Sequence, residues 1–329
     1  MPLIPVPEIE AVTLAALQAH GAAPRDAQAL AKATAHSEAH GNVICGLAYL
    51  ESYCQQLANG RVKGQTDPSV ERLKPGVVRV NAGLGFAQHA FDAGFDAACA
   101  AAKDQGIALY MVTRSHTCTS LGYFTEQFAR AGLMALGFTN AAPSMAPPGG
   151  NTATLGTNPI AVSCPAEGGG LAMHFDTATS AVARGDVLRA KASGTPIPLG
   201  WAVDAEGAPT EDAEAALAGA LLPAAGHKGW GLGLLVEVMA AALGGTALSA
   251  DTDPLKVPGG APHNLSQSYI LIDPTTSPVY FEKMSRLSAL VTAQEGARIP
   301  GATRKAMEQV DVPEALWATV QRLASGNQG

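Results

Sequence analysis

Charged and aromatic side chains are scarce in this chain of 329 residues: 15% of the residues are charged and 5% are aromatic, against 47% hydrophobic. Such a composition excludes a disordered chain and predicts a globular protein with a large buried core, long enough for two or three lobes. The net charge of −7 argues against a nucleic-acid backbone as a partner. The low charge and the 36 glycines hint at extensive buried surface, part of which could be a subunit interface.

Cysteine is also rare, and the chain has an odd number of them: Cys45, Cys54, Cys99, Cys118 and Cys164. No pair has CxxC spacing, and the chain lacks a basic start followed by an apolar core. We therefore expect reduced thiols and a cytoplasmic location. The longest apolar stretch, near Leu232–Leu243, contains Glu237 and is too short to cross a bilayer, so we expect no membrane association.

Several familiar nucleotide and catalytic motifs are missing. No GxGxxG stands between a strand and a helix, since GLGFAQ at Gly83 lacks the third glycine, and GxxxxGK[ST], HExxH and GxSxG are absent. These absences argue against an ordinary Rossmann dehydrogenase, a P-loop enzyme and an α/β-hydrolase. His36 and His40 are four apart and could share a helix face, but no nearby third ligand is evident, so no metal is predicted.

The order of predicted elements indicates an α/β or α+β fold. Helices that end at Gly21, Gly41 and Gly60 come first. The middle then mixes a strand at 77–83, a helix at 87–106 and further strands at 107–113, 133–141, 158–166, 171–179 and 266–274. Irregular loops that extend away from the core are expected at 185–226, and a buried helix is expected at 227–245. Helices return near 285–294 and from Pro313, so the two termini are expected to pack together as one lobe.

Two polar strand ends are candidate sites for chemistry. His116 stands between an apolar strand and a predicted helix, where a neutral imidazole could relay a proton near pH 7 or could bond a backbone carbonyl. The stretch His174–Ser180 ends a strand in hydroxyls and one carboxylate, which could bond a ribose or a nicotinamide amide. The same residues could equally form a turn and a helix cap. From the residues alone, both interpretations of each site stay open.

Two basic stretches could bind a phosphate. Lys228 lies at a predicted helix start, where a cation opposes the helix dipole unless an anion is bound there; close helix packing with a solvated Lys228 is the alternative. Arg298, Arg304 and Lys305 surround a Pro-Gly turn and could grip phosphate oxygens, or could form a solvated basic turn. The loop at 139–161 is long enough to suggest a functional role.

Five separated stretches, in order along the chain, resemble the malate/L-lactate dehydrogenase family, whose members lack a Rossmann fold. They are GLGFAQHAFDAGFDAACAAAKDQGIALYMVTRSH, GGNTATLGTNPIA, DTATSAVARGDV, GALLPAAGHKGWGL and RIPGATR. The family includes ureidoglycolate dehydrogenase, diketogulonate reductase, sulfolactate dehydrogenase and the pyrroline- and piperideine-2-carboxylate reductases. The resemblance implies NAD(P)H-dependent hydride transfer between nicotinamide and C2 of a small 2-oxo, 2-hydroxy or cyclic 2-imino carboxylate.

The resemblance also implies an architecture and a set of site residues. It implies a homodimer of α/β (α+β) subunits, with a non-Rossmann mixed-sheet domain at 76–283 that binds NAD(P) and substrate. A helical domain would be built from both termini, 1–75 with 284–329. His116 would sit beside the nicotinamide as proton donor or acceptor, and Thr157 and Arg184 would face the substrate. The residues expected to contact the cofactor are Asn140, His174, Phe175, Asp176, Lys228, Gly229, Arg304, Lys305 and Ala306.

One motif of the family is missing. Its members usually carry Ser-His-Gly near the end of the second helix, and in several of them this histidine is the proton donor. Here the stretch is EAHGNVICGLAYL, with Asn42 and Val43 about where the Ser-His pair would stand. An imine is easier to reduce once protonated, so the missing pair tilts the prediction towards a ketimine reductase without deciding against oxo acids. A nucleotide-binding member without turnover is the alternative from another class.

Overall fold

The computed structural model describes residues 1–254, 257 and 259–326, which form ten α-helices and eleven strands. The helices are α1 (Val6–Ala19), α2 (Pro24–Ala39), α3 (Leu50–Ala58), α4 (Ala87–Gln105), α5 (Leu121–Arg130), α6 (Arg184–Ser193), α7 (Ala213–Ala218), α8 (His227–Glu237), α9 (Tyr280–Thr292) and α10 (Glu314–Ala324). The strands are β1 (Leu3–Pro5), β2 (Ser69–Lys74), β3 (Val77–Asn81), β4 (Ile107–Ser115), β5 (Met134–Thr139), β6 (Ile160–Pro165), β7 (Leu171–Thr177), β8 (Ala202–Val203), β9 (Ala220–Leu221), β10 (Leu265–Ile272) and β11 (Gln309–Asp311).

A seven-stranded mixed sheet in the order β2-β3-β4-β10-β5-β6-β7 forms the centre of the fold. Strands β3 and β4 are parallel and are linked by α4, whereas the other neighbouring pairs are antiparallel. The sheet therefore differs from the parallel sheet of a Rossmann domain, and the predicted mixed α/β class is confirmed.

Helices α4 and α5 cover the sheet through an aromatic cluster. The ring of Phe91 in α4 lies within 5.7 Å, centroid to centroid, of Phe124 and Phe128 in α5 and of Tyr110 and Tyr269 in the sheet. Gly94 allows α4 to approach, because a Cβ at this position would stand 2.5 Å from Cγ2 of Val80. This packing fixes the start of α5, which forms one wall of the candidate site.

The two termini share a second core. Strand β1 pairs with β11, and buried side chains of the first three helices, such as Leu17 and Leu30, belong to the same cluster as Trp317 and Val320 of α10. Helix α9 instead contacts β7 at the end of the central sheet. The division into 1–75 with 284–329 and 76–283 stays a prediction, and residues 327–329 of that division lie outside the described residues.

Two regions differ from the sequence-based expectation. Residues 185–226 were expected to form irregular loops, but they contain α6, α7 and the β8–β9 pair around a small core that includes Val187, Ile197 and Ala216. Alanine-rich segments such as these form helices once a few apolar side chains can be buried. Helix α8 was expected to be buried, yet Leu232 and Leu235 are 47% and 45% exposed. The apolar face of α8 that carries these two side chains is therefore not covered within the chain.

The structure also bears on two expectations from the sequence, that the thiols are reduced and that no helix crosses a membrane. Each of the five cysteines lies within the described residues and carries a free thiol. Among the described helices, none combines the length and the apolar character that crossing a bilayer requires.

Candidate active site

A polar cleft of about 430 Å³ opens where the start of α5, the end of β7 and the turn at 298–304 meet. Its lining residues are Asn42, Ser120, Gly122, His174, Phe175, Asp176, Arg298, Gly301, Thr303 and Arg304. Four residues expected to bind the cofactor therefore converge in one cleft, although 130 positions separate His174 from Arg304. A second cleft of about 300 Å³, lined by residues such as Arg79 and Arg114, contains none of the predicted site residues.

Asp176 stands at the N-terminus of α5. Its Oδ2 accepts the backbone N–H of Gly122 at 2.7 Å, which places a carboxylate at the positive end of the helix dipole. Ser120 occupies the cap position of α5, but its side chain makes no capping hydrogen bond. Although the residue as a whole is exposed, surrounding protein atoms desolvate the carboxylate and raise its pKa to about 6, against the opposing effects of Gly122 and Arg304.

His174 is held as a neutral imidazole between two partners. The guanidinium of Arg304 donates to Nε2 at 2.8 Å, so the proton resides on Nδ1, which donates to Ser163 at 2.8 Å. Burial, with a smaller effect of Arg304, lowers the pKa of His174 to about 4. The turn packs directly on this strand, because a Cβ at Gly301 would stand 2.5 Å from the carbonyl oxygen of His174. His174 thereby positions Arg304 in the cleft.

His116 lies outside the cleft and is only 1% exposed. Its Nε2 donates a hydrogen bond to Oε1 of Gln56 at 2.8 Å, and its ring centroid lies 4.6 Å from that of His263. Burial, assisted by His263 and Arg61, holds the pKa of His116 well below its usual range. In this geometry His116 is a neutral side chain without access to the cleft, and its role as proton donor stays a prediction.

Three other predicted site residues lie apart from the cleft. Asn140 is buried and donates to the carbonyl of Ala247 at 2.9 Å. Gly229, near the start of α8, is packed so closely on the backbone that a Cβ would collide with the carbonyl of Ala224. Close packing thus accounts for Gly229, the alternative that the sequence left open. The carbonyl of Thr157 accepts the N–H of Thr179 at 2.9 Å.

The remaining predicted residues are exposed. Lys228 at the start of α8, Lys305 and Ala306 beyond the turn, and Arg184 at the start of α6 all face solvent. The cleft also contains residues that the predicted site lacked, among them Gly122 and Thr303. The basic turn at 298–305 was noticed in the sequence through its arginines, but neither Gly122 nor Thr303 has a side chain that marks it as a site residue.

The segment that replaces the family's Ser-His-Gly motif lies next to the cleft. Asn42 forms part of the cleft wall, and its amide donates to Ser120 Oγ at 3.4 Å. A Cβ at Gly46 would displace the carboxylate of Glu38, which accepts the N–H of Leu47 at 2.7 Å. Between Asn42 and Gly46, residues Val43–Cys45 form a single 3₁₀ turn.

The chain is similar to several known proteins over nearly its whole length. The family model described as malate/L-lactate dehydrogenase matches residues 4–321. The (2R)-3-sulfolactate dehydrogenase (NADP(+)) of Chromohalobacter salexigens is 36% identical to this chain, covering 95% of it and 96% of the relative. The Delta(1)-pyrroline-2-carboxylate reductase of Ancylobacter novellus is 37% identical, covering 96% of both chains.

Solved structures support the same relationship. The structure is similar to that of delta1-piperideine-2-carboxylate reductase from Pseudomonas syringae pv. tomato, with a TM-score of 0.91 and 33% identity. This likeness covers 98% of the present chain and 100% of the other. The sulfolactate dehydrogenase of Methanocaldococcus jannaschii has a TM-score of 0.87 at 25% identity, covering 98% and 97% of the two chains.

Proposed function

The chain belongs to the malate/L-lactate dehydrogenase family, and we propose that it is an NAD(P)H-dependent ketimine reductase acting on cyclic 2-imino acids. Its relatives include reductases named for pyrroline-2-carboxylate and piperideine-2-carboxylate, and also a dehydrogenase named for sulfolactate. A single feature supports the choice of an imine: Asp176 places a carboxylate in the cleft at the start of α5, and burial raises its pKa to about 6.

The two substrate classes make different demands on the enzyme. Hydride addition to a ketone creates an alkoxide, which needs a proton from the protein or from water. A protonated cyclic imine already carries that proton and becomes a neutral amine when it accepts the hydride. A carboxylate that is mainly ionised above pH 6, as Asp176 is, suits the positively charged imine. The buried His116 is not needed for this reaction.

The replaced motif supports the same choice. If the glycine of Ser-His-Gly corresponds to Gly46, where a Cβ would displace a neighbouring carboxylate, then Ile44 and Cys45 occupy the Ser and His positions. We infer this alignment in place of the earlier one with Asn42 and Val43. A position that holds a histidine donor in several family members then holds a thiol, which lacks an imidazole's buffering near pH 7.

The cleft suits the phosphates of a dinucleotide. Arg298 and Arg304 place two guanidinium groups beside the cleft, and guanidinium forks bind phosphate oxygens well. The ring of Phe175 adds an apolar surface beside them. The cofactor itself supplies the hydride, and the protein residues bind and orient it. Contacts of the cofactor with Asn140, Lys228, Gly229, Lys305 and Ala306 stay predictions. So do contacts of the substrate with Thr157 and Arg184.

We also propose a homodimer in the cytoplasm. Leu232, Leu235 and Val238 leave an apolar face on and beyond α8 that the subunit does not cover, and a second copy of this chain would cover it. The free thiols of the five cysteines support a reducing compartment.

The test is the oxidation of NADH and NADPH, followed by absorbance, with pyruvate, oxaloacetate, pyrroline-2-carboxylate and piperideine-2-carboxylate offered separately. Turnover confined to the two imines is the expected result. Faster turnover of an oxo acid would instead establish a hydroxy-acid dehydrogenase. Tight NADPH binding without turnover of any of the four would support a member of the family that has lost catalysis.

A further inference from the structure

Three metal-ligating side chains converge beside the cleft, where α2 contacts α5. His36 lies in α2 and His40 is the residue that ends it, and their ring centroids are 4.2 Å apart. Glu126 of α5, 90 positions after His36, reaches them from the facing helix. One ligand atom from each side chain lies within 4.8 Å of the other two. Folding thus supplies the third ligand that the sequence did not reveal beside the two histidines.

His40 and Glu126 are each in a protonation state that leaves a lone pair available to a metal ion. Nδ1 of His40 lies 2.9 Å from the carbonyl oxygen of His36; as an N–H it donates there and leaves Nε2 as the free base. Such a carbonyl contact is the usual second partner of a metal-binding histidine. Burial lowers the pKa of His40, which favours the neutral ring. Glu126 is ionised, since hydrogen bonds from His36 and Arg130 outweigh its desolvation and lower its pKa to about 2.

The ordinary role of Glu126 as an ion-pair partner leaves part of this arrangement unexplained. Glu126 accepts a hydrogen bond from His36 Nε2 at 3.1 Å and from Arg130 at 2.6 Å. These contacts account for the carboxylate but give no reason for a second imidazole, that of His40, within 4.8 Å. A metal ion would use both rings.

We propose that His36, His40 and Glu126 form a binding site for one Zn²⁺ ion. Two imidazoles and one carboxylate are a donor set that proteins use for zinc, with the fourth position open to water. With bonds of about 2.1 Å, ligand atoms at the corners of a tetrahedron lie about 3.4 Å apart. The three atoms must therefore close by a little over 1 Å, which small side-chain rotations provide.

Two arginines compete with the ion, and both can move. Arg130 bonds Glu126 but its side chain is 58% exposed, so it can turn into solvent. Arg304 lies 3.7 Å from the second carboxylate oxygen and already has His174 as a partner at 2.8 Å. Zinc at this site would free Arg304 from Glu126 without removing its contact in the cleft.

The experiment is a titration of the purified full chain with Co²⁺, a spectroscopic substitute for Zn²⁺, followed by competition with Zn²⁺. One Co²⁺ ion per chain is expected, with visible absorption bands of tetrahedral coordination that Zn²⁺ abolishes. The variants His40→Ala and Glu126→Gln are each expected to weaken binding by at least about 100-fold, because each removes a ligand. Near-ultraviolet circular dichroism of both variants checks that the fold survives.

His89→Ala is the matched control. His89 also pairs with a buried carboxylate, that of Asp26 at 3.2 Å, but belongs to no group of three ligands among the described residues. Its loss is expected to leave the Co²⁺ titration unchanged. Wild-type binding in His40→Ala would overturn the proposal, as would failure of wild-type protein to bind Co²⁺. Intense thiolate-to-cobalt absorption would also overturn it, because a cysteine site would then be the one that binds.

Discussion

The carboxylate of Asp176 accepts the backbone N–H of Gly122 at 2.7 Å and so occupies the N-terminus of α5. A helix N-terminus commonly binds a phosphate of a nucleotide, but here the protein fills that position with its own anion. Under the proposed function, the guanidinium groups of Arg298 and Arg304, which also line the cleft, would bind the phosphates of the cofactor. In the proposed reaction Asp176 would act on the substrate through its charge, while its Oδ2 stays bonded to Gly122.

The first prediction concerns the pH dependence of imine reduction. Because the pKa of Asp176 is raised to about 6, its charge appears as the pH rises through 6, and kcat/KM for a cyclic imine should rise with it. Asp176→Asn should abolish this rise and lower kcat/KM at pH 7.5 about tenfold, the scale of one charged hydrogen bond. Steady-state rates from pH 5 to 8 measure both effects.

Asp92→Asn is the control for this prediction. Burial raises the pKa of Asp92 as well, but Asp92 does not line the cleft, so its replacement should leave the pH profile unchanged. A rising limb near pH 6 that persists in Asp176→Asn would assign the titration to another group.

The second prediction is that Arg304→Ala weakens NAD(P)H binding by about 1–3 kcal/mol, the scale of a charge-assisted contact with phosphate. Quenching of protein fluorescence measures the affinity. Arg130→Ala is the matched control, because Arg130 also pairs with Glu126 yet does not line the cleft. Equal effects of the two substitutions would show that release of Glu126, and not loss of a cofactor contact, causes the change.

Local patterns predicted most elements of this fold. Helix α4 ends where Gly106 adopts a left-handed φ of 78°, and the alternation of β3 buries Val78 and Val80. Such signals lie within a few neighbouring residues, so sequence is enough to place them. The short pairing of β1 with β11 was missed because it joins the two ends of the chain, where neither strand has more than three residues.

The site was harder to predict, because its properties come from distant residues. His174, Phe175, Asp176 and Arg304 were named from their resemblance to the family, and the structure gathers them in one cleft. The burial of His116 could not be foreseen, since Gln56 and His263 that enclose it come from far along the chain. Glu126 carried no local sign of its position beside two histidines.

The third prediction separates two roles for His116. The resemblance to the family predicts that its loss lowers turnover on the order of a hundredfold, as for a general acid-base group. The geometry predicts less than about a tenfold loss with imines, because His116 is neutral and closed off from the cleft. His116→Gln is the informative variant, since its amide can keep a hydrogen bond to Gln56. A hundredfold loss in a variant that still binds NADPH would restore His116 to the mechanism.

The fourth prediction concerns assembly. The unmodified protein should be a dimer and Leu235→Asp a monomer, because the substitution places a charge in the apolar face of α8 that a second copy is proposed to bury. Sedimentation equilibrium measures the mass in solution. Leu199→Asp is the control, since Leu199 is 62% exposed in the loop between α6 and β8 and is not part of α8. Dimers that persist in Leu235→Asp would place the interface on another surface.

The fifth prediction is a loss of stability in mild acid. Burial lowers the pKa values of His174 and His263 to about 4, whereas the unfolded chain titrates near the ordinary 6.5. As the pH falls from 6.5 to 4, these histidines therefore bind protons in the unfolded state but not in the folded state, and the free energy of unfolding decreases. Each histidine contributes a loss of about 2 kcal/mol between pH 7 and pH 5.

Urea unfolding of His263→Phe at pH 7 and pH 5 tests this account. Phenylalanine keeps a ring against His116 but cannot titrate, so the difference in stability between the two pH values should shrink by about 2 kcal/mol. His20→Gln removes a partly exposed histidine at the end of α1 and should leave the difference unchanged. If the free energy of unfolding changes equally between pH 7 and pH 5 in His263→Phe and in the unmodified protein, then His263 accepts its proton in the folded state. Its buried environment would in that case open to solvent in mild acid.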